Sequence, residues 1–300
     1  MCGIVGLFIK NKTMRDQLGA LATPMFVCMG DRGPDSGGLA VFNEPTPESA
    51  QRWRINVFAR NREYPWEPLI HGLRQTHPAT DIVASSNHAI LMTDQAPEIV
   101  ARWLGEYDPM LIVLSTGRVM DLYKDTGHPR ELAERYHFTD LRGTHCVGHT
   151  RMATESAVTP AHSHPFVAGN DFCLVHNGSL SNHNSLRRLL ERRGIQFETD
   201  NDTEAVCRFL QWRMREGDTI EESLARGFEE LDGFYTLLMG TPERLVLVRD
   251  AFACKPGIIA DTPDYVAIGS EFRTLAHLPR IHEANLFEPV PEKIYSWTIA

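Results

Sequence analysis

Met1-Cys2-Gly3-Ile4-Val5-Gly6 opens the chain, and the rest of the sequence is organised around it. Cys2 is small, so an aminopeptidase can remove Met1 and leave Cys2 as the mature terminus. One residue would then carry both a thiol and a free α-amine. A thiol is a weak nucleophile until a base takes its proton. The α-amine titrates near ~7.7–8.0, so part of it is free base at neutral pH. It lies a few bonds from the sulfur and can act on it through a water. Gly3 and Gly6 let the backbone turn tightly and let other groups approach. Ile4 and Val5 begin a buried strand that would fix the terminus in the interior. Met-Cys-Gly is also an ordinary way for a chain to start, so the later motifs decide between the two.

Working outward, residues 2–9 are expected as a strand and residues 14–29 as a helix, with Leu18, Leu21, Ala22, Met25 and Phe26 at helical spacing. Asp31-Arg32-Gly33-Pro34-Asp35-Ser36-Gly37-Gly38 is built to turn, and Leu39–Phe42 restarts a strand. Residues 43–65 are loop-like. Residues 87–140 have a separate rhythm: strands at His88–Met92 and Met110–Ser115, a helix at Ala96–Tyr107, and a strand at Val119–Lys124 expected to pair with Met110–Ser115 across Thr116-Gly117. Pro129–Tyr136 is helix-like. This stretch is expected to be a small α/β insertion, at about residues 44–140. Beyond Thr144, Asn182 is expected to cap a helix running to Gly194, Asp202-Thr203-Glu204 opens another, and Thr219–Leu231 forms a third. The chain then becomes nearly all strand, from Tyr235 to Thr298. Strands at both ends with helices between imply an α+β layered fold.

The composition is that of a soluble globular protein, with 42% hydrophobic and 23% charged residues. A net charge of −9 without a basic run argues against nucleic acid or an anionic membrane as partner. No apolar stretch approaches the ~20 residues of a membrane span, and the start lacks a signal peptide's basic and apolar regions. The six cysteines are scattered and form no C-x-x-C pair, so neither a zinc ribbon nor an iron–sulfur cluster is indicated. They are expected as reduced thiols in a cytoplasm.

Further motifs follow in order: Arg32-Gly33-Pro34-Asp35, Gly148-His149-Thr150-Arg151, His176-Asn177-Gly178, Asp202-Thr203-Glu204 and Arg249-Asp250. Each alone has a plain explanation. Asn-Gly is a strong turn dipeptide, Asp202 can cap a helix, and Arg151 with Asp202 can form a structural ion pair. As an ordered set with Cys2 they resemble the class II glutamine amidotransferases, which are N-terminal-nucleophile (Ntn) hydrolases. The resemblance covers residues 1–42 and about 140–275, and implies one type-2 amidotransferase domain over residues 1–300 with the insertion inside it. It implies a four-layer α-β-β-α sandwich of two antiparallel sheets, with the cysteine at the end of a central strand.

The resemblance also implies roles. Cys2 would attack the side-chain amide carbon of glutamine. Asn177, through its amide, and Gly178, through its backbone N–H, would stabilise the oxyanion. Arg151 would clamp the glutamine α-carboxylate, Asp202 would face the α-ammonium, and Thr154 and His164 would complete the substrate site, with His149 beside it. Losing ammonia would leave a γ-glutamyl thioester for water to hydrolyse. The sequence departs from the aminosugar and purine branches. Met152 stands where many members carry an aromatic, Glu155 replaces a histidine, and the gap from Arg32 to His149 is long. This fits better the separate amidotransferase subunits related to glutamate synthase, nearest to N-methylglutamate synthase. With no dinucleotide fingerprint, phosphate loop or cysteine cluster, no cofactor is expected on this chain. Flavin and iron–sulfur chemistry would sit on partner synthase subunits of a hetero-oligomer. Two other readings stand beside this one: a non-catalytic regulatory or scaffolding subunit of the same fold, and a metal-dependent hydrolase using His145, His149, His162, His164 and His176.

Overall fold

The computed structural model describes residues 2–153 and 158–299. Thr154 and Glu155 lie outside the described residues. In chain order the elements are β1 (Gly3–Ile9), α1 (Leu18–Cys28), β2 (Ser36–Phe42), β3 (Trp53–Ala59), α2 (Trp66–Thr76), β4 (Asp81–Ser85), β5 (His88–Thr93), α3 (Pro97–Tyr107), β6 (Leu111–Gly117), β7 (Met120–Thr126) and α4 (Pro129–Arg135). There follow β8 (His145–Arg151), β9 (Phe166–Val167), β10 (Cys173–Leu180), α5 (His183–Glu191), α6 (Asp202–Arg215), α7 (Ile220–Glu230), β11 (Gly233–Thr241), β12 (Arg244–Arg249), β13 (Ile258–Asp261), β14 (Tyr265–Gly269), β15 (Asn285–Phe287) and β16 (Tyr295–Thr298).

The alternation of side chains along β1 builds the layers. Val5, Leu7 and Ile9 pack with Leu18, Met25 and Phe26 of α1 and with Leu132 of α4. Ile4 and Phe8 point the other way, onto Val175, Leu238 and Leu247 of a second sheet. The far face of that second sheet, with Leu174, Leu237 and Val246, is covered by α5–α7. The result is α+β: helices, a seven-stranded sheet ordered β15-β13-β14-β1-β8-β2-β7, a five-stranded sheet ordered β16-β12-β11-β10-β9, and helices again. The strand pairs in both sheets are antiparallel. It is the four-layer α-β-β-α sandwich that the resemblance implies. Gly6 faces the inter-sheet layer, where a Cβ would come within 2.8 Å of Leu238 Cδ2.

A third sheet of four strands, β4-β5-β3-β6, carries its own core of Ile55, Val57, Leu91 and Leu104 under α2 and α3. Two expectations are corrected here. Residues 43–65 contain β3, a central strand of this sheet. Val119–Lys124 does not pair with β6: β7 runs beside β2, with Gly38 opposite Lys124 and Ala40 opposite Leu122. β7 therefore belongs to the seven-stranded sheet and α4 to the helical layer that covers it, and the small sheet occupies Trp53–Gly117. Asp171 explains the tight passage from β6 to β7, because its carboxylate accepts the N–H groups of Arg118, Val119 and Met120 at 2.6, 3.1 and 2.8 Å.

Smaller expectations are also corrected. Asn182 precedes α5 without capping it, and instead donates to Glu230 O and accepts from Asp232 N–H. Glu222, exposed at the start of α7, forms a capping box with Thr219. Arg187 holds the carbonyls of Thr199 and Asn201, fixing the loop that leads into α6. No helix among the described residues is long and apolar enough to cross a membrane.

Candidate active site

The half-buried Cys2 sits just before β1, which is hydrogen-bonded on one side to β14 and on the other to β8. Both neighbours bring polar groups to it. The Cys2 carbonyl accepts from Arg32 Nε at 2.9 Å and from Asn177 Nδ2 at 3.2 Å. Ser270, just past β14, accepts from Ile4 N–H at 2.9 Å and from Asn177 Nδ2 at 3.2 Å. The Cys2 sulfur lies 3.9 Å from the carbonyl of Met152. Arg32 is itself braced by Glu271 at 2.5 Å, and this hydrogen bond holds the Glu271 carboxyl below its usual range. The Arg32-Gly33-Pro34-Asp35 turn fits against the end of β8 so closely that a Cβ at Gly33 would meet the Thr150 carbonyl at 2.4 Å. Asp35 then accepts from Ala153 N–H at 2.8 Å, tying down the chain just beyond Arg151.

Asn177 is held from behind by a buried polar chain. Its Oδ1 can only accept, so His149 Nε2 donates to it, at 3.0 Å. Burial pushes His149 down to about 3 and His164 well below its ordinary value, so both rings are neutral. The His149 Nδ1 is then an acceptor and takes the His164 Nδ1 proton at 3.0 Å. His164 Nε2 accepts from the Thr203 hydroxyl at 3.0 Å, and Thr203 in turn accepts from His176 Nδ1 at 3.0 Å. The donors all run one way, from His176 through Thr203, His164 and His149 to Asn177. That direction polarises the Asn177 amide and aims its Nδ2 at Cys2.

Gly178 follows with φ +156°. A Cβ there would meet Phe234 O at 2.0 Å and His176 Nε2 at 2.5 Å, so only glycine fits. Asp202 opens α6, where Asn201 caps the helix by accepting from Thr203 N–H at 2.9 Å. Burial alone would raise the Asp202 carboxyl. The nearby His176 ring and the Leu180 and Thr203 N–H groups outweigh it and hold Asp202 at about 2. Arg151 is buried at the end of β8, on the same face as His149 and as Val147, which packs between the sheets.

The structure therefore brings Cys2, Asn177 and Gly178 to one place, with Arg151 and Asp202 on adjoining strand and helix ends. Thr154 lies outside the described residues. His164, expected to touch substrate, has both ring nitrogens engaged by His149 and Thr203. The histidines do not converge as metal ligands: His145 hydrogen-bonds Thr144 and Thr241, His162 hydrogen-bonds Thr159 and Asp200, and the rest serve the chain above. Among the described residues no group of three or more candidate ligands is placed to hold a metal. His162 and His164 lie in a turn. Sequence reasoning gave no role to Arg32, Ser270 or Glu271. Arg32 lay in a quoted motif, while Ser270 and Glu271 carry no local signal.

Comparison with known proteins speaks to the family and the fold. Residues 149–277 match the glutamine amidotransferase domain family. Over 99% of this chain and 98% of its own, the glutamine amidotransferase-like protein GlxB of Rhizobium meliloti (strain 1021) is 42% identical. The chain belongs to the class II glutamine amidotransferase family. A relative from Methanothermobacter thermautotrophicus is 30% identical over 98% of this chain and 99% of its own. Among solved structures, glutamine phosphoribosylpyrophosphate amidotransferase from B. subtilis, complexed with ADP and GMP, superposes with a TM-score of 0.62 at 17% identity, which speaks to the fold alone. This chain is covered fully and spans 49% of that one. The chain is accordingly an amidotransferase enzyme of Ntn-hydrolase fold.

Proposed function

We propose that the chain is the glutaminase subunit of a cytoplasmic synthase, with residues 1–300 forming one type-2 amidotransferase domain. Met1 is removed and the Cys2 amine takes the thiol proton. The thiolate attacks the glutamine amide carbon, and the oxyanion is met by Asn177 Nδ2 and Gly178 N–H. Arg151 holds the α-carboxylate, Asp202 the α-ammonium, and Thr154 with the His149–His164 pair shapes the pocket. As the C–N bond breaks, the Cys2 ammonium returns its proton to the leaving ammonia. Water then hydrolyses the γ-glutamyl thioester to glutamate. The observation that carries this reading is the placement of the Asn177 amide 3.2 Å from the Cys2 backbone, with the histidine chain behind it. The two amide protons rest on Cys2 O and Ser270 Oγ, and one of them turns to the oxyanion as it forms.

The acceptor belongs to a partner synthase of glutamate-synthase or N-methylglutamate-synthase type, which would also hold any flavin or iron–sulfur group. The long insertion and the departures at Met152 and Glu155 support that branch. Ammonia is mostly protonated at pH 7 and is then a poor nucleophile, so it must be passed on directly. A glutamine-like electrophile should label Cys2 and no other cysteine, on protein whose intact mass lacks Met1. An active preparation that retains Met1 would overturn the nucleophile assignment. Glutaminase rates should rise on reconstitution with co-purified synthase subunits, and equal rates with and without them would remove the case for a partner.

A further inference from the structure

We propose that the cleft between the small sheet and the sandwich binds a small carboxylate or phosphate anion, with Lys124 at its inner end and Arg60 and Arg62 at its mouth. Two hollows share a wall of Ile112, Pro160 and Ala161. Lys124 lines the inner one, and Arg60 and Arg62 line the outer. Lys124 is buried, and among the described residues its ammonium makes a single hydrogen bond, to the Ser163 carbonyl at 3.3 Å, beside the ring of Phe166. Three N–H donors with one acceptor leave a buried charge under-satisfied. Among the described residues the Arg62 guanidinium reaches only the Thr126 carbonyl, at 3.3 Å.

The carboxylates of the same cleft are already matched. Glu204 accepts from the Glu198 and Thr199 N–H groups, and both Glu204 and Glu198 pair with Arg208. Asp125 is taken by Arg135 at 2.8 Å and by the Tyr136 hydroxyl at 2.9 Å. Lys124, Arg60 and Arg62 are left without an ion pair among the described residues, in a protein of net charge −9. Burial pushes Lys124 down to about 8 against the opposing pull of Glu198, Cys207 and Glu204, and an anion set beside the ammonium would favour its charged form further. The site does not depend on the glutaminase reading, because none of its three cations touches Cys2 or Asn177.

Titration calorimetry on the full chain carrying Cys2→Ala tests it without turnover, using sodium phosphate and sodium succinate separately at constant ionic strength. One saturable site for at least one probe is expected, and the probe that binds identifies the headgroup. Affinity should fall by about tenfold or more in the Arg60→Ala/Arg62→Ala double variant and in Lys124→Met. Both arginines are exposed, so the double variant decides the matter if Lys124→Met does not fold. Failure of both probes to saturate at millimolar concentration, or unchanged affinity in the double variant, would overturn the proposal.

Discussion

Asn177 concentrates the chemistry of the site in one side chain. Its carbonyl is fixed by His149 and its amide is shared between Cys2 O and Ser270 Oγ. Its donor matters most once the substrate oxygen is an anion, so Asn177→Ala should lower kcat by about 10²–10³-fold and leave KM nearly unchanged. Steady-state glutaminase kinetics check this, and a change confined to KM would remove the oxyanion role. Asp202 belongs to binding. Held ionised at about 2, it presents a full charge at any working pH. Asp202→Ala should raise the glutamine KM by at least about tenfold, since a charge-assisted contact is worth roughly 1.5–3 kcal/mol. Asn177, Gly178 and Asp202 were legible because a motif names residue types that chemistry demands. Arg32's hold on Cys2 O was not, because nothing in Arg-Gly-Pro-Asp says which backbone the arginine will reach.

At the scale of single elements, the turn from β6 to β7 shows what sequence patterns leave out. Thr116-Gly117 between two apolar runs has the look of a hairpin, yet the second run pairs with β2. The reason lies far along the chain: Asp171 gathers three turn N–H groups, and Arg54 of β3 grips Asp121 of β7 through two hydrogen bonds, of 2.7 and 2.8 Å. A Cβ at Gly117 would fall 2.0 Å from Asp171 Oδ1, so the glycine serves this approach of Asp171. Asp171→Ala leaves buried N–H groups unpaired and should destabilise the fold by about 3 kcal/mol. Urea unfolding measures it, and an unchanged midpoint would show that water replaces the carboxylate. The layered helices and long strands were legible from apolar periodicity. The small sheet was only partly so, because β3 lies in a stretch punctuated by Pro45, Pro47 and Pro65.

Across the whole molecule the buried histidines set the response to acid. His88, His145 and His149 are pushed down to about 3 by burial, and His164 well below its ordinary value. Each is neutral in the folded chain and takes a proton in the unfolded chain below about pH 6.5. The unfolded state therefore binds more protons between about pH 6.5 and pH 3, and stability falls as pH falls. Each ring costs up to about 1.4 kcal/mol per pH unit in that window. Calorimetry should show the Tm dropping steeply from about pH 7 to pH 5, and a flat profile would contradict the buried neutral rings. The same global architecture also sets a clock. β1, which follows directly on the nucleophile, is made first but is completed by β8 and β14, with Val5 opposite both Gly148 and Gly269. At the ~5–20 residues per second of synthesis, its last partner strand emerges on the order of ten to fifty seconds after Cys2. For that interval the start of the nascent chain is unhoused and open to aminopeptidase trimming, and β1 is flanked on both sides only once β14 has been made.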